Sequence, residues 1–183
     1  LHTEFERRTI YTILSKPIHR WQFLLGKYFG VLGVVATLVT ILALVSYGMT
    51  ILAGGDSPTL AAAYFTLFLQ LAMVTAVALL FAAVSSPLLS GLFTLGVFVA
   101  GNLTPQIEAA REYLSETNED LGNIVAGVAH LLPDFHALNL SYQLTYDATI
   151  PTYYLLSATA YSATYSAIVL LLAFALFSRK VLP

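Results

Sequence analysis

Apolar residues run through this chain in blocks longer than a soluble helix needs, and the few polar breaks between them define its elements. Residues 28–55 contain no Asp, Glu, Lys or Arg, and neither do residues 57–107 or 148–178. A helix needs about 20 mostly apolar residues to cross a hydrocarbon core about 30 Å thick. The first and last blocks each hold one such span, at 28–52 and 153–177. The middle block is about twice that length and is divided at Ser85-Ser86-Pro87. Proline is favoured at the first helical position, because the N–H it lacks would have no partner there. Ser57-Pro58 and Ser86-Pro87 therefore read as helix starts, with Ser as N-cap. They predict spans at 58–84 and 87–103, the second short and ended by Thr104-Pro105, so that it is either thin or partly re-entrant.

The flanks add smaller elements. Thr3-Glu4-Phe5-Glu6 fits a capping box, with Thr3 as N-cap and Glu6 three residues on. A short amphipathic helix is expected over 4–16, stopped by Pro17, which disfavours helical geometry at Lys16. A second helix then starts near Ile18 and runs into the first span. In the long loop 104–152, residues 105–115 and 119–131 read as two short helices. Thr104 caps the first, and Thr117 with Asp120 caps the second. The predicted fold class is thus an all-α polytopic membrane protein: four transmembrane helices, an N-terminal amphipathic helix, and two short helices in an outer loop, forming a single membrane domain over 1–183.

Composition agrees with that reading. Of the 183 residues, 58% are hydrophobic and only 10% charged, against about a quarter charged in a soluble domain. The net charge of −2 and the lack of a basic face exclude nucleic acid as a partner. No cysteine is present, so disulfides, thiolate metal sites and Cys nucleophiles are excluded. Charge placement supplies orientation. Arg7, Arg8, Lys16, Arg20 and Lys27 precede the first span, and Arg179 and Lys180 follow the last, so seven of the eight basic residues flank the two ends. Four spans put both flanks on one side, expected to be cytoplasmic. The loop at 53–57 and the acidic loop at 104–152 are expected outside.

The spans contain no Asp, Glu, Lys, Arg or His; Gln70, Asn102 and scattered Ser and Thr are their strongest polar groups. Proton relays, ion pumps and haem sites need ionisable groups at depth, and an intramembrane serine protease needs a base beside its nucleophile. Each is disfavoured. Energy for moving a solute is expected to enter from outside the bilayer. Small residues four apart (Gly26/Gly30, Ala72/Ala76, Ala78/Ala82, Gly96/Ala100, Ala163/Ala167) allow close helix approach, although such residues are common in any span. In the outer loop, His130, Asp134 and His136 are weak candidates for a metal site; two His and one Asp across a proline are more often loop hydrogen-bonders, and no metal is expected.

The N-terminal stretch Glu6-Arg7-Arg8-Thr9-Ile10-Tyr11-Thr12-Ile13-Leu14-Ser15-Lys16-Pro17-Ile18-His19-Arg20, followed by Phe23-Leu24-Leu25-Gly26-Lys27, resembles the cytoplasmic signature of ABC-2 type transporter permeases. That pattern runs from an acidic residue through Leu-Leu-Ser-x-Pro-x-x-Arg to Gly-Lys at the mouth of a span. Thr9, Leu14, Ser15, Pro17, Arg20, Gly26 and Lys27 match it, while Arg8 stands where Gly is common. Leu131-Leu132-Pro133, Leu138-Asn139-Leu140 and Phe177-Ser178-Arg179-Lys180 are similar to later parts of the family. Members usually have six spans, with this motif between the second and third. The resemblance therefore implies that the chain, which begins at Leu1 rather than Met, holds the third to sixth spans and lacks the first two.

The resemblance further implies a permease subunit of an ATP-driven exporter in the cytoplasmic membrane of a prokaryote. Such a subunit pairs into a homo- or heterodimer and binds separate ATPase subunits that carry the ATP and Mg. Glu6, Arg7, Thr9, Ile10, Ile13, Leu14, Pro17 and Arg20 would form the coupling element. Ile10, Ile13 and Leu14 would fill a groove of the ATPase, and Gly26, Lys27 and Gly30 would pack the span entry. The chain itself carries no P-loop: the position of the first required Gly before Gly26-Lys27 is Trp21, and Tyr28 follows the Lys. It is not expected to be an enzyme or to hold a cofactor. The rival reading from composition is a membrane scaffold that docks other proteins through its N-terminal helix.

Overall fold

A computed structural model describes residues 20–55, 59–117, 125–127, 132–141, 144 and 150–179. They form α1 (Arg20–Leu52), α2 (Thr59–Val84), α3 (Pro87–Asn102), α4 (Thr104–Thr117), a 3-10 turn at His136–Leu138, and α5 (Thr152–Arg179). There is no strand among the described residues. Three helices, α1, α2 and α5, are long and apolar enough to cross a membrane. A fourth crossing is available if α3 and the start of α4 count as one span bent by 66°. The chain is a polytopic all-α membrane protein.

The charge-free blocks become helices for the reason the pattern implied: in hydrocarbon each backbone N–H and C=O must be satisfied within its own segment. The helix starts differ in detail from expectation. Pro87 does occupy the first turn of α3, but the Ser86 side chain makes no cap hydrogen bond. Instead its carbonyl accepts the Ser90 N–H at 2.9 Å and the Ser90 hydroxyl at 2.9 Å. Thr104 lies inside α4 rather than capping it, and its hydroxyl bonds back to the Gly101 carbonyl at 2.9 Å. The expected helix over 4–16, the Ser57-Pro58 start and nearly all of the second outer-loop helix lie outside the described residues.

Packing is uneven, and α2 is the hub. Half of its most apolar stretch is buried, against 6% for α1 and 22% for α5. Two apolar clusters lie along it. In one, Ala76, Val77 and Leu79 meet Tyr28 of α1 and Val169 and Leu170 of α5. In the other, Leu69 and Met73 meet Ala158 of α5 together with Phe135 and Leu138 from the 132–141 segment. Tyr28 reaches across to donate to the Ala72 carbonyl at 3.4 Å. Ser46 and Tyr64 share a 2.5 Å hydroxyl–hydroxyl bond nearer the other end of the same helix pair. These contacts make α1 antiparallel and α5 parallel to α2. The Arg20 start of α1 and the Arg179 end of α5 therefore lie at one end of the bundle, referred to below as the basic end.

Of the five small-residue pairs, only Ala72/Ala76 is fully buried in the subunit; Gly26/Gly30 and Ala163/Ala167 face outward. In lipid the penalty for truncating a side chain comes from lost packing rather than from water. Met73→Ala, at 0% exposure, is expected to destabilise the fold by about 2–5 kcal/mol. Leu171→Ala, at 67% exposure, is expected to stay within about 0.5 kcal/mol. Reversible unfolding of the full protein in bicelles measures both; equal effects would contradict the α2-centred packing.

Candidate functional site

The residues singled out in the sequence separate into a basic-end group and a loop-end group. Of the coupling residues, Glu6, Arg7, Thr9, Ile10, Ile13, Leu14 and Pro17 lie outside the described residues; Arg20 is the first residue of α1. From there α1 continues for 33 residues without a break. Gly26 and Gly30 are exposed on it, and a Cβ added at either would meet nothing within 4 Å. Their closeness is thus not used for packing against any described residue. Lys27 is half-buried beside them.

At the loop end, α3 is too short to finish a crossing. Sixteen residues span roughly 24 Å, after which α4 turns away. The space beyond the end of α3 is taken by the returning 132–141 segment. Phe135, with 0% exposure, packs against Leu69 and Met73, and its ring lies 5.7 Å from that of Phe98. Counting along α2, Met73 is about 20 Å from the start of the helix, so this loop reaches well into the bundle.

Several of its backbone groups find partners on the approach. The Phe135 N–H donates to the Gly101 carbonyl at 3.0 Å and the Asp134 N–H to the Tyr161 hydroxyl at 2.9 Å. The Tyr154 hydroxyl donates to the Ala137 carbonyl. Gly101 is what makes this possible: a Cβ there would come within 2.6 Å of the Phe135 ring and closer still to the Pro133 carbonyl.

The metal candidates divide as well. His130 lies outside the described residues. The Asp134 carboxylate accepts the Ala137 N–H at 3.0 Å, closing the 3-10 turn, and His136 is exposed. No group of three or more His, Cys, Asp and Glu that could hold a metal occurs among the described residues.

Between α1 and α2 runs a groove of about 590 Å³, walled by side chains such as Val39, Ala43, Leu44, Phe65 and Phe68. None of its lining residues is ionisable except Tyr47 and Tyr64. The Tyr64 hydroxyl ties α2 to Ser46 of α1. Gly101 and Phe135 were not singled out at all. The available signal was a glycine at the end of an apolar run followed, some thirty residues later, by an aromatic inside a proline-containing loop. Such a pair is too far apart in sequence to be matched without coordinates.

These features define a class: a helical membrane protein with long apolar helices and a loop segment packed into one end of its bundle. The model of the family described as ABC-2 family transporter protein matches residues 1–182. The chain belongs to that family, whose members are membrane transport components and not themselves catalytic. No curated protein and no solved structure gives a match.

Because the sequence has no cysteine, a single Cys reports local opening directly. Leu138→Cys, at a site only 2% exposed, is expected to resist a membrane-permeant maleimide. Adding Gly101→Ala is expected to raise its labelling rate at least about fivefold, since relieving the overlap costs about 1–3 kcal/mol of loop docking. An unchanged rate would mean that Gly101 does not set the approach of the loop.

Proposed function

We propose that this chain is the permease subunit of an ATP-driven ABC-2 type exporter, forming the translocation path and taking its energy from a separate ATPase subunit. The observation that carries the reading is the family match across residues 1–182. Three physical features support it. The apolar stretches 28–52, 58–84, 87–103 and 153–177 carry no ionised group on which an ion gradient could act. The sequence holds no P-loop, so nucleotide chemistry belongs to a partner that supplies ATP and Mg. And α1 is one unbroken rod from Arg20 to Leu52, suited to pass a push at its basic end through the bundle as rigid-body motion.

On this reading residues 4–16 are the coupling helix. Ile10, Ile13 and Leu14 seat in a groove of the ATPase, and Arg7, Arg8 and Arg20 pair with its acidic rim or with lipid headgroups. Both basic flanks face the cytoplasm in a prokaryotic cytoplasmic membrane. Outward faces such as that bearing Gly26 and Gly30 are available for pairing of two permease subunits.

The test is pull-down of the full parent protein from its own membranes. It is expected to retain a Walker-type ATPase, and Ile13→Asp combined with Leu14→Asp is expected to cut that retention at least about tenfold, as loss of central apolar anchors does at other interfaces. A wild-type protein that retains no ATPase, or a double variant that retains it fully, overturns the reading.

A further inference from the structure

Gln70 sits near the middle of α2 with 8% of its surface exposed, and its side chain makes no hydrogen bond to any described residue. A buried carboxamide without a partner is costly. In a lipid-embedded bundle such groups face another helix's polar atoms or a wet cavity. Gln70 faces a cavity. A space of about 240 Å³ lies between α2 and the loop segment, lined by Gln70, Tyr64 and Leu67 on one side and by Leu138, Asn139 and Ser141 on the other.

The wall chemistry restricts what fits. Among the described residues no Asp, Glu, Lys, Arg or His lines the cavity, so no described side chain there would pair with a charged ligand. The Gln70 amide offers one carbonyl and two N–H donors. The Asn139 Oδ1 is already engaged by the Ser141 N–H at 3.0 Å and the Ser141 hydroxyl at 2.5 Å, which leaves the Asn139 amide nitrogen as the unused end of that side chain. Leucines 67, 138 and 140 supply apolar walls. The volume equals that of roughly eight liquid waters, below the range of about 300–1,000 Å³ typical of sites for drug-sized molecules.

We propose that this cavity binds a compact, uncharged, hydroxyl- or amide-bearing group anchored by the Gln70 carboxamide. Resting on the permease reading, it is a subsite for the solute that the protein moves, or for the neutral head of a lipid-like cargo. Gln70 is assigned as a binding residue here, not a structural one, because no described residue gives its side chain a partner.

The experiment uses the full protein in phosphatidylcholine nanodiscs and three probes that share a ring and differ in charge: methyl glucoside, glucuronate and glucosamine. Methyl glucoside is expected to raise the unfolding midpoint by roughly 5 °C at a hundredfold excess over its Kd, and the charged pair is not. Gln70→Leu and Gln70→Met are expected to abolish that shift while leaving the unliganded midpoint at or above that of wild type. Equal shifts from all three probes, no shift with either the free probes or a neutral glucosyl lipid, or variants that lower the unliganded midpoint and keep the shift would overturn the proposal; the cavity then holds water only.

A second arm replaces free sugar with a neutral glucosyl lipid in the disc. A Gln70-dependent shift there alone assigns the group to a lipid head, and a shift with free sugar assigns it to a soluble solute. Retention of the ATPase, scored on the same preparation, separates the two readings. A Gln70-dependent shift in a protein that binds no ATPase keeps the site and removes its transport role. ATPase retention without the shift removes the site alone.

Discussion

Every departure from helix inside hydrocarbon must find partners for its backbone, because no water is there to supply them. That constraint organises the loop end of this protein. Helix α3 stops at Asn102, short of a full crossing, and the 132–141 segment occupies the space it leaves. The segment is admissible there because its exposed amides are taken up by neighbours: Phe135 by Gly101, Asp134 by Tyr161. A glycine is required at 101 by distance, not by backbone angle, since two non-hydrogen atoms of the loop stand where a Cβ would be. One methyl group therefore stands between a docked and an undocked loop.

The same constraint accounts for the uneven burial. Among the described residues, α2 touches α1, α3, α5 and the 3-10 turn, while α1 leaves Phe29, Val34, Leu38 and Leu44 exposed. In water such a face would be an aggregation hazard. In a bilayer it costs little, since lipid tails are as apolar as leucine, and helix association has to come from close packing and hydrogen bonds instead. The buried Ala72/Ala76 pair and the Tyr28–Ala72 bond show both means at work on α2.

The fold class and three long helices were legible in the sequence because absence of charge over some 25 residues is a strong, local signal. The short α3 was legible as a problem, flagged by Ser86-Pro87 and Thr104-Pro105, but not as a solution. What completes it is Phe135, an aromatic in a stretch with neither helical nor strand period, recruited by a glycine 34 positions earlier. Gln70 was legible as a polar residue in a span and no more; its importance depends on what surrounds it, and no local pattern encodes that. Side-chain capping by Ser86 and Thr104 was read from residue type alone. Both hydroxyl-bearing residues sit at the boundaries, but Ser86 is used through its carbonyl and Thr104 bonds backward to α3.

Tyr64 links the two cavities to the moving part that the permease reading requires. Its side chain lines both the apolar groove against α1 and the smaller cavity that holds Gln70, and its hydroxyl is bonded to Ser46 of α1. Helix α1 packs less extensively on α2 than α5 does, and the groove separates the two helices beside this bond. On the permease reading, a rod continuous from the basic end, held on α2 by Tyr28 near that end and by Ser46 near the other, would act as a lever about the Tyr28 contact. A tilt imposed at Arg20 would arrive at Ser46 and, through Tyr64, at the wall of the Gln70 cavity. α5 and the docked loop would stay fixed by Gly101, Tyr154 and Tyr161. On that reading the arrangement needs no charged residue in the apolar stretches, because packing and one hydroxyl pair would carry the displacement.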